Sequence, residues 1–144
     1  MNGAPGGGVD CTSFASIVRR LSARRKWTLA DQMLLASGVF DAIPDSARVL
    51  YVGCGRASAL VTRPKWYGID FNPKLAPLWE QLGISNRCTV CDVRQLGVAA
   101  FPVHDWTVSV DFLEHVGTEP DDLELVVRNL RAVAPHGIHV IDTT

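Results

Sequence analysis

Asp70, Asp92 and Asp111 each follow a short strand-like stretch, and an apolar run, Val49–Val52, is closed by glycines at Gly53 and Gly55. Carboxylates accept hydrogen bonds from hydroxyls and amines. Glycines let the backbone turn sharply and approach a ligand with no Cβ in the way. In this combination they suit a nucleotide-type cofactor, with the glycine turn lying close to it and the acid after the second run accepting from ribose hydroxyls. Asp70 is the expected ribose residue. Gly-x-Gly alone also describes an ordinary tight strand-to-helix turn, and one acid at a strand end also serves as a helix N-cap. Three acids in equivalent places argue instead for one shared crevice.

The elements that must position these residues are short strands alternating with helices. Strands are expected at Val49–Val52, Trp66–Asp70, 87–91, Trp106–Val110 and 138–141. The link between the first two has room for barely two helical turns, 57–62, before Pro64 forbids continuation. A helix of about 119–134 follows the fourth strand. This alternation predicts an α/β, mostly parallel, doubly wound sheet with ligand at the carboxyl ends of its strands.

From Arg48 onward the motifs resemble those of class I S-adenosylmethionine-dependent methyltransferases, in order and spacing. Val49-Leu50-Tyr51-Val52-Gly53-Cys54-Gly55 is similar to that family's glycine-rich first motif, Tyr67-Gly68-Ile69-Asp70-Phe71-Asn72-Pro73 to its second, and Cys91-Asp92-Val93 to its third. The most specific match is Val108-Ser109-Val110-Asp111-Phe112-Leu113-Glu114-His115-Val116, and residues 130–138 resemble the turn into strand five. The resemblance implies a Rossmann-like sheet in the order 3-2-1-4-5 with S-adenosylmethionine as cofactor. It would lay the methionine part over Gly53, Cys54 and Gly55, the ribose on Asp70 beside Phe71, and the adenine edge at Asp92 and the Val93 amide. Asp111 and Phe112 would border the sulfonium. The chain departs from the pattern at Tyr51, where many members carry an acid, and at Ala57, where many carry a further glycine.

His115 and Glu114 are the candidate catalytic residues. An imidazole titrates near neutrality, and both follow strand four at the crevice, where either could take a proton from a hydroxyl or amine acceptor. Both could equally serve only to start the next helix. The Asn-Pro-Pro-Tyr run that marks methylation of base amino groups in related enzymes is absent after strand four, which argues against a DNA adenine methyltransferase. A nicotinamide-dependent oxidoreductase shares the fold logic but leaves the Asp111 to His115 run unexplained. A cofactor-binding module without turnover is the other reading kept open.

A chain of 144 residues with formal net charge −1 fits one domain with no general pull toward nucleic acid or membrane. Residues 1–12 read as a Gly- and Pro-rich flexible tail, 13–45 as N-terminal helices and 46–144 as the Rossmann-like core. No apolar stretch is long enough to span a bilayer, and a cytoplasmic location is expected. The first N-terminal helix, about 13–25, gathers Arg19, Arg20, Arg24, Arg25 and Lys26 toward its end, which suits a solvated helix C-terminus better than nucleic-acid contacts. The second opens at Thr28 and runs through Val39. Cys11, Cys54, Cys88 and Cys91 are expected as reduced thiols, since an odd spacing on a strand points Cys88 and Cys91 to opposite faces; no metal is expected. The acceptor is expected to be a small molecule. Strand five, with apolar side chains on both faces, is an expected homodimer edge.

Overall fold

Val49–Val52 is buried on both faces, as an apolar run must be in the middle of a parallel sheet covered on each side. In the computed structural model, which describes residues 38–96, 103–117 and 119–141, this run is β1 of a parallel sheet. The other strands are β2 (Trp66–Asp70), β3 (Cys88–Val90), β4 (Trp106–Val110) and β5 (His136–Val140). Their order is β3-β2-β1-β4-β5, as expected. Register pairs Tyr51 with Gly68 on one side and with Val108 on the other. The direction of winding reverses between β1 and β4, so loops leaving these two strands part and open a crevice at their carboxyl ends.

Alternation along the strands makes two cores. Val49, Tyr51, Val108 and Val110 face Phe40, Leu60, Trp66, Trp79 and Ile84. Leu50, Val52 and Ile69 face Val93, Leu96 and the apolar stripe Val126, Leu130 and Val133 of helix α2 (Pro120–Val133). Asp121 and Asp122 lie in the first turn of α2 and Arg131 in its last, each sign matched to the helix dipole. Pro135 ends the helix by forcing Ala134 into extended backbone, φ −149° and ψ 144°.

Several boundaries differ from the sequence expectation. The β1–β2 link is a 3-10 turn, Ser58–Thr62. Strand β3 is shorter than 87–91, because Arg87 ends a 3-10 turn, Ser85–Arg87. Its guanidinium donates to the carbonyls of Leu60, Arg63 and Trp66, each at 2.8 Å, and so ties down the β1–β2 link. A short helix, α1 (Ala76–Gln81), was not anticipated; with Trp79 as its one buried residue it carries no readable periodicity. Residues 38–45, expected within the N-terminal helices, form turns that start at Gly38, φ +68°. The rest of those helices, the basic cluster, the tail and Cys11 lie outside the described residues. No described helix is long and apolar enough to cross a membrane.

Strand β5 lies at one edge of the sheet, and it is apolar on one face rather than two. Ile138 and Val140 pack on the Tyr51 side. Between them His139 points to the other face, and Ile141 lies past the strand, half exposed. His139 Nδ1 is 2.7 Å from Ser109 Oγ and its Nε2 is 3.2 Å from Thr107 Oγ1. Burial pushes the imidazole pKa below its ordinary value and keeps the ring neutral in the fold. The unfolded chain then binds the extra proton first, so stability falls as pH drops through about 6.5 toward the depressed folded value. The melting temperature of the protein is expected to decline between about pH 7 and pH 5, and His139→Gln, which cannot titrate, to show a shallower decline. Parallel curves for the two proteins would remove His139 from the acid sensitivity.

Candidate functional site

Beyond β1 the chain turns through Gly53 (φ +65°), Gly55 (φ +55°) and Ala57 (φ +56°), alternate residues in left-handed backbone. This region costs an L side chain roughly 1–2 kcal/mol, so the two glycines are conformational necessities and Ala57 carries a local strain. Ala57 is wholly buried and its N–H bonds the Cys54 carbonyl at 2.9 Å. The turn therefore keeps its shape without the third glycine.

Two side chains from outside hold this turn. Asp70, the last residue of β2, accepts the Gly55 N–H on Oδ2 at 3.0 Å and the Asn72 N–H on Oδ1 at 3.0 Å. Trp79 Nε1 of α1 donates to the Gly55 carbonyl at 2.8 Å. Each carboxylate oxygen of Asp70 keeps further lone-pair capacity, and the residue lines the crevice.

At the end of β3, Asp92 caps a 3-10 turn, Val93–Gln95, by accepting the Arg94 N–H at 2.9 Å. Arg94 folds back and grips the same carboxylate, with Nη2 2.7 Å from Oδ2. The hydrogen bonds from Arg94 hold the Asp92 carboxyl below its ordinary range. Asn129 anchors this turn from α2: its Nδ2 donates to the Val93 carbonyl at 3.1 Å and to the Arg94 carbonyl at 2.9 Å.

After β4, Asp111 stands in left-handed backbone, φ +54°, and its N–H bonds the Val140 carbonyl of β5 at 2.9 Å. The kink throws the Phe112 ring across the turn, where it fills the space a Cβ on Gly53 would take. A short 3-10 turn, Leu113–His115, then brings His115 Nε2 to 3.8 Å from Asp111 Oδ1. One donor atom each from Asp111, Glu114 and His115 lies within 4.8 Å of the others, compact enough to hold a cation or to pass a proton.

The cleft these loops enclose is lined by Gly53, Asp70, Phe71, Asp92, Val93, Phe112 and His115 among the expected site residues, together with Arg94 and Gly117. Cys54, Gly55, Asp111 and Glu114 stand beside it without lining it. A Cβ on Gly55 would meet open space, whereas the Gly53 surface is already covered by Phe112. The cleft's volume, about 220 Å³, is below the roughly 300–1,000 Å³ of pockets that enclose a cofactor-sized ligand. The described residues thus form one wall of a site. Trp79, Asn129 and Arg94 were not singled out from the sequence. Asn129 left a signal, a polar residue on the same helical face as Val126, Leu130 and Val133.

No protein-family model and no curated protein matches the chain. Solved structures do. CalS10, an amino pentose methyltransferase of Micromonospora echinaspora solved with SAM bound, superposes with TM-score 0.59 at 22% identity, over 81% of this chain and 51% of its own. The StiE O-methyltransferase segment 961–1257 gives TM-score 0.56 at 21% identity over 92% and 51%. The O-methyltransferase of a Brevibacillus brevis trans-AT PKS multienzyme, in complex with S-adenosyl-L-homocysteine, gives 0.55 at 15% identity over 88% and 46%. The fold is that of the class I, Rossmann-like methyltransferases, and the chain spans about half the length of these structures.

Proposed function

We propose that this chain binds S-adenosylmethionine in the cleft at the ends of β1 to β4 and transfers its methyl group to a small-molecule acceptor. The observation that carries the reading is Asp70. Its carboxylate closes β2, grips the glycine turn through Gly55 and still faces the cleft. A cofactor with a ribose fits such a group, since hydroxyl donors use the remaining lone pairs. The turn at Gly55 leaves room for a ligand backbone, and the solved structures of the same fold that hold SAM or S-adenosyl-L-homocysteine support the choice.

When bound, S-adenosylmethionine supplies a methyl group activated on a sulfonium. The chain's own residues then orient and enclose. Asp70 accepts from the ribose, the Val93 turn meets the adenine edge, and Phe112 with Asp111 borders the sulfonium side and excludes water. Asp92 is free to accept from the adenine only when Arg94 swings aside. His115 lines the cleft and is the group placed to take the acceptor's proton, with Asp111 Oδ1 3.8 Å from its Nε2. Glu114 adds a carboxylate next to this pair without lining the cleft.

One observation favours a second reading, binding without turnover. Tyr51 stands where an acid would contact the methionine amino group, and its ring is wholly buried, edge-on to Trp66 at 6.4 Å. Methyl-labelled cofactor mixed with the protein and a cell extract separates the two. Label moving to an extract component is the expected result, and saturable binding with no transfer would leave the module.

A further inference from the structure

Gly68 lies in the middle of β2, paired with Tyr51 of β1 and Cys88 of β3. The space left by its absent side chain is taken by sulfur. A Cβ on Gly68 would stand 2.7 Å from Cys54 Sγ, 3.2 Å from Cys54 Cβ and 3.4 Å from Cys88 Sγ. Two thiols from separate elements therefore meet over one glycine. Cys54 is wholly buried, while Cys88 is partly open to solvent.

The two thiols differ in reactivity from Cys91. Interaction with the Cys54 side chain, aided by the positive charge of Arg87 and opposed by burial, lowers the Cys88 pKa. Burial and the charge of Asp92 raise that of Cys91. A thiolate is the attacking form, so Cys88 leads and Cys54 is the thiol in reach to resolve.

Cys54 is also the middle residue of the glycine turn. Its N–H bonds the Ile69 carbonyl at 3.0 Å, its Sγ faces the Gly55 carbonyl at 3.7 Å, and the flanking Gly55 is held by Asp70 and Trp79. A bond from this sulfur to Cys88 would constrain the turn that stands beside the cleft.

We propose that Cys54 and Cys88 form a reversible oxidation site, an intramolecular disulfide whose closure weakens binding in the adjacent cleft. The part concerning binding rests on the proposed function. With a peroxide as oxidant, the Cys88 thiolate attacks one peroxide oxygen, the O–O bond breaks, and a sulfenic acid and one water result. The Cys54 sulfur then displaces the sulfenic oxygen as a second water, so two thiols lose two electrons and two protons to the peroxide. A dithiol reductant reverses the step by exchange.

The test uses the full chain, fully reduced and then treated with stoichiometric hydrogen peroxide. Alkylation and mass mapping are expected to show a product lighter by two hydrogens, linked Cys54 to Cys88. S-adenosylmethionine affinity by calorimetry is expected to fall at least about tenfold and to return with dithiothreitol. Cys88→Ser is expected to bind like the reduced protein and to keep its affinity after peroxide. A different pairing, oxidation that stops on a single cysteine, or a Cys54–Cys88 link with unchanged affinity would each overturn the proposal. Reduced protein that ignores the cofactor would overturn the proposed function and the switch together, whereas normal reduced binding without the link overturns the switch alone.

Discussion

Gly55→Val is expected to abolish S-adenosylmethionine binding and to leave the far-ultraviolet circular dichroism nearly native. Gly55 sits at φ +55°, where a β-branched residue is a steric outlier. Its N–H is the donor to Asp70 and its carbonyl is the acceptor from Trp79. Escape from the left-handed region rotates both groups away, and the turn loses both external anchors at once. Packing alone does not forbid the substitution, since a Cβ at this position meets nothing within 4 Å. The contrast is Gly53→Ala, whose methyl group drives into the Phe112 ring at φ +65° and is expected to cost global stability as well. Calorimetric binding and thermal melts on both variants make the comparison; binding retained by Gly55→Val would place the cofactor elsewhere on the chain.

Asp70→Ala is expected to weaken cofactor binding by about 1–3 kcal/mol, the usual range for losing a charge-assisted hydrogen bond, or roughly five- to more than a hundredfold in affinity. The loss has two sources. One is the direct acceptor for the ribose; the other is the release of Gly55 and Asn72, whose N–H groups the carboxylate now holds. Asp70→Asn separates them, because the amide keeps one oxygen acceptor and turns the other into a donor. Asn is therefore expected to recover part of the loss. Affinity unchanged in Asp70→Ala would withdraw the central support for the site.

The sequence by itself determined the layer order and the positions of the acids. A central parallel strand is buried on both faces, so Val49–Val52 reads as an uninterrupted apolar run, and Trp66–Asp70 and Trp106–Val110 were also placed with their true ends. Asp70 and Asp92 were legible because each follows a strand-like stretch, and Gly53 and Gly55 because only a turn needs them there. The tertiary structure decided what each of these residues touches. Arg87 looked like the first residue of a strand, yet it ends a 3-10 turn and its guanidinium finds two carbonyls of the β1–β2 link and that of Trp66, the first residue of β2. Asp92 looked free for an adenine, yet Arg94, two residues on, occupies it. Cys88 and Cys91 invited comparison because they are near in sequence, while the sulfur that meets Cys88 comes from Cys54 across Gly68. The reason is common to all three. A period of two or of 3.6 reports which side of an element is apolar, but a partner distant along the chain is chosen by register between strands and by the space a glycine leaves, and neither has a local signature.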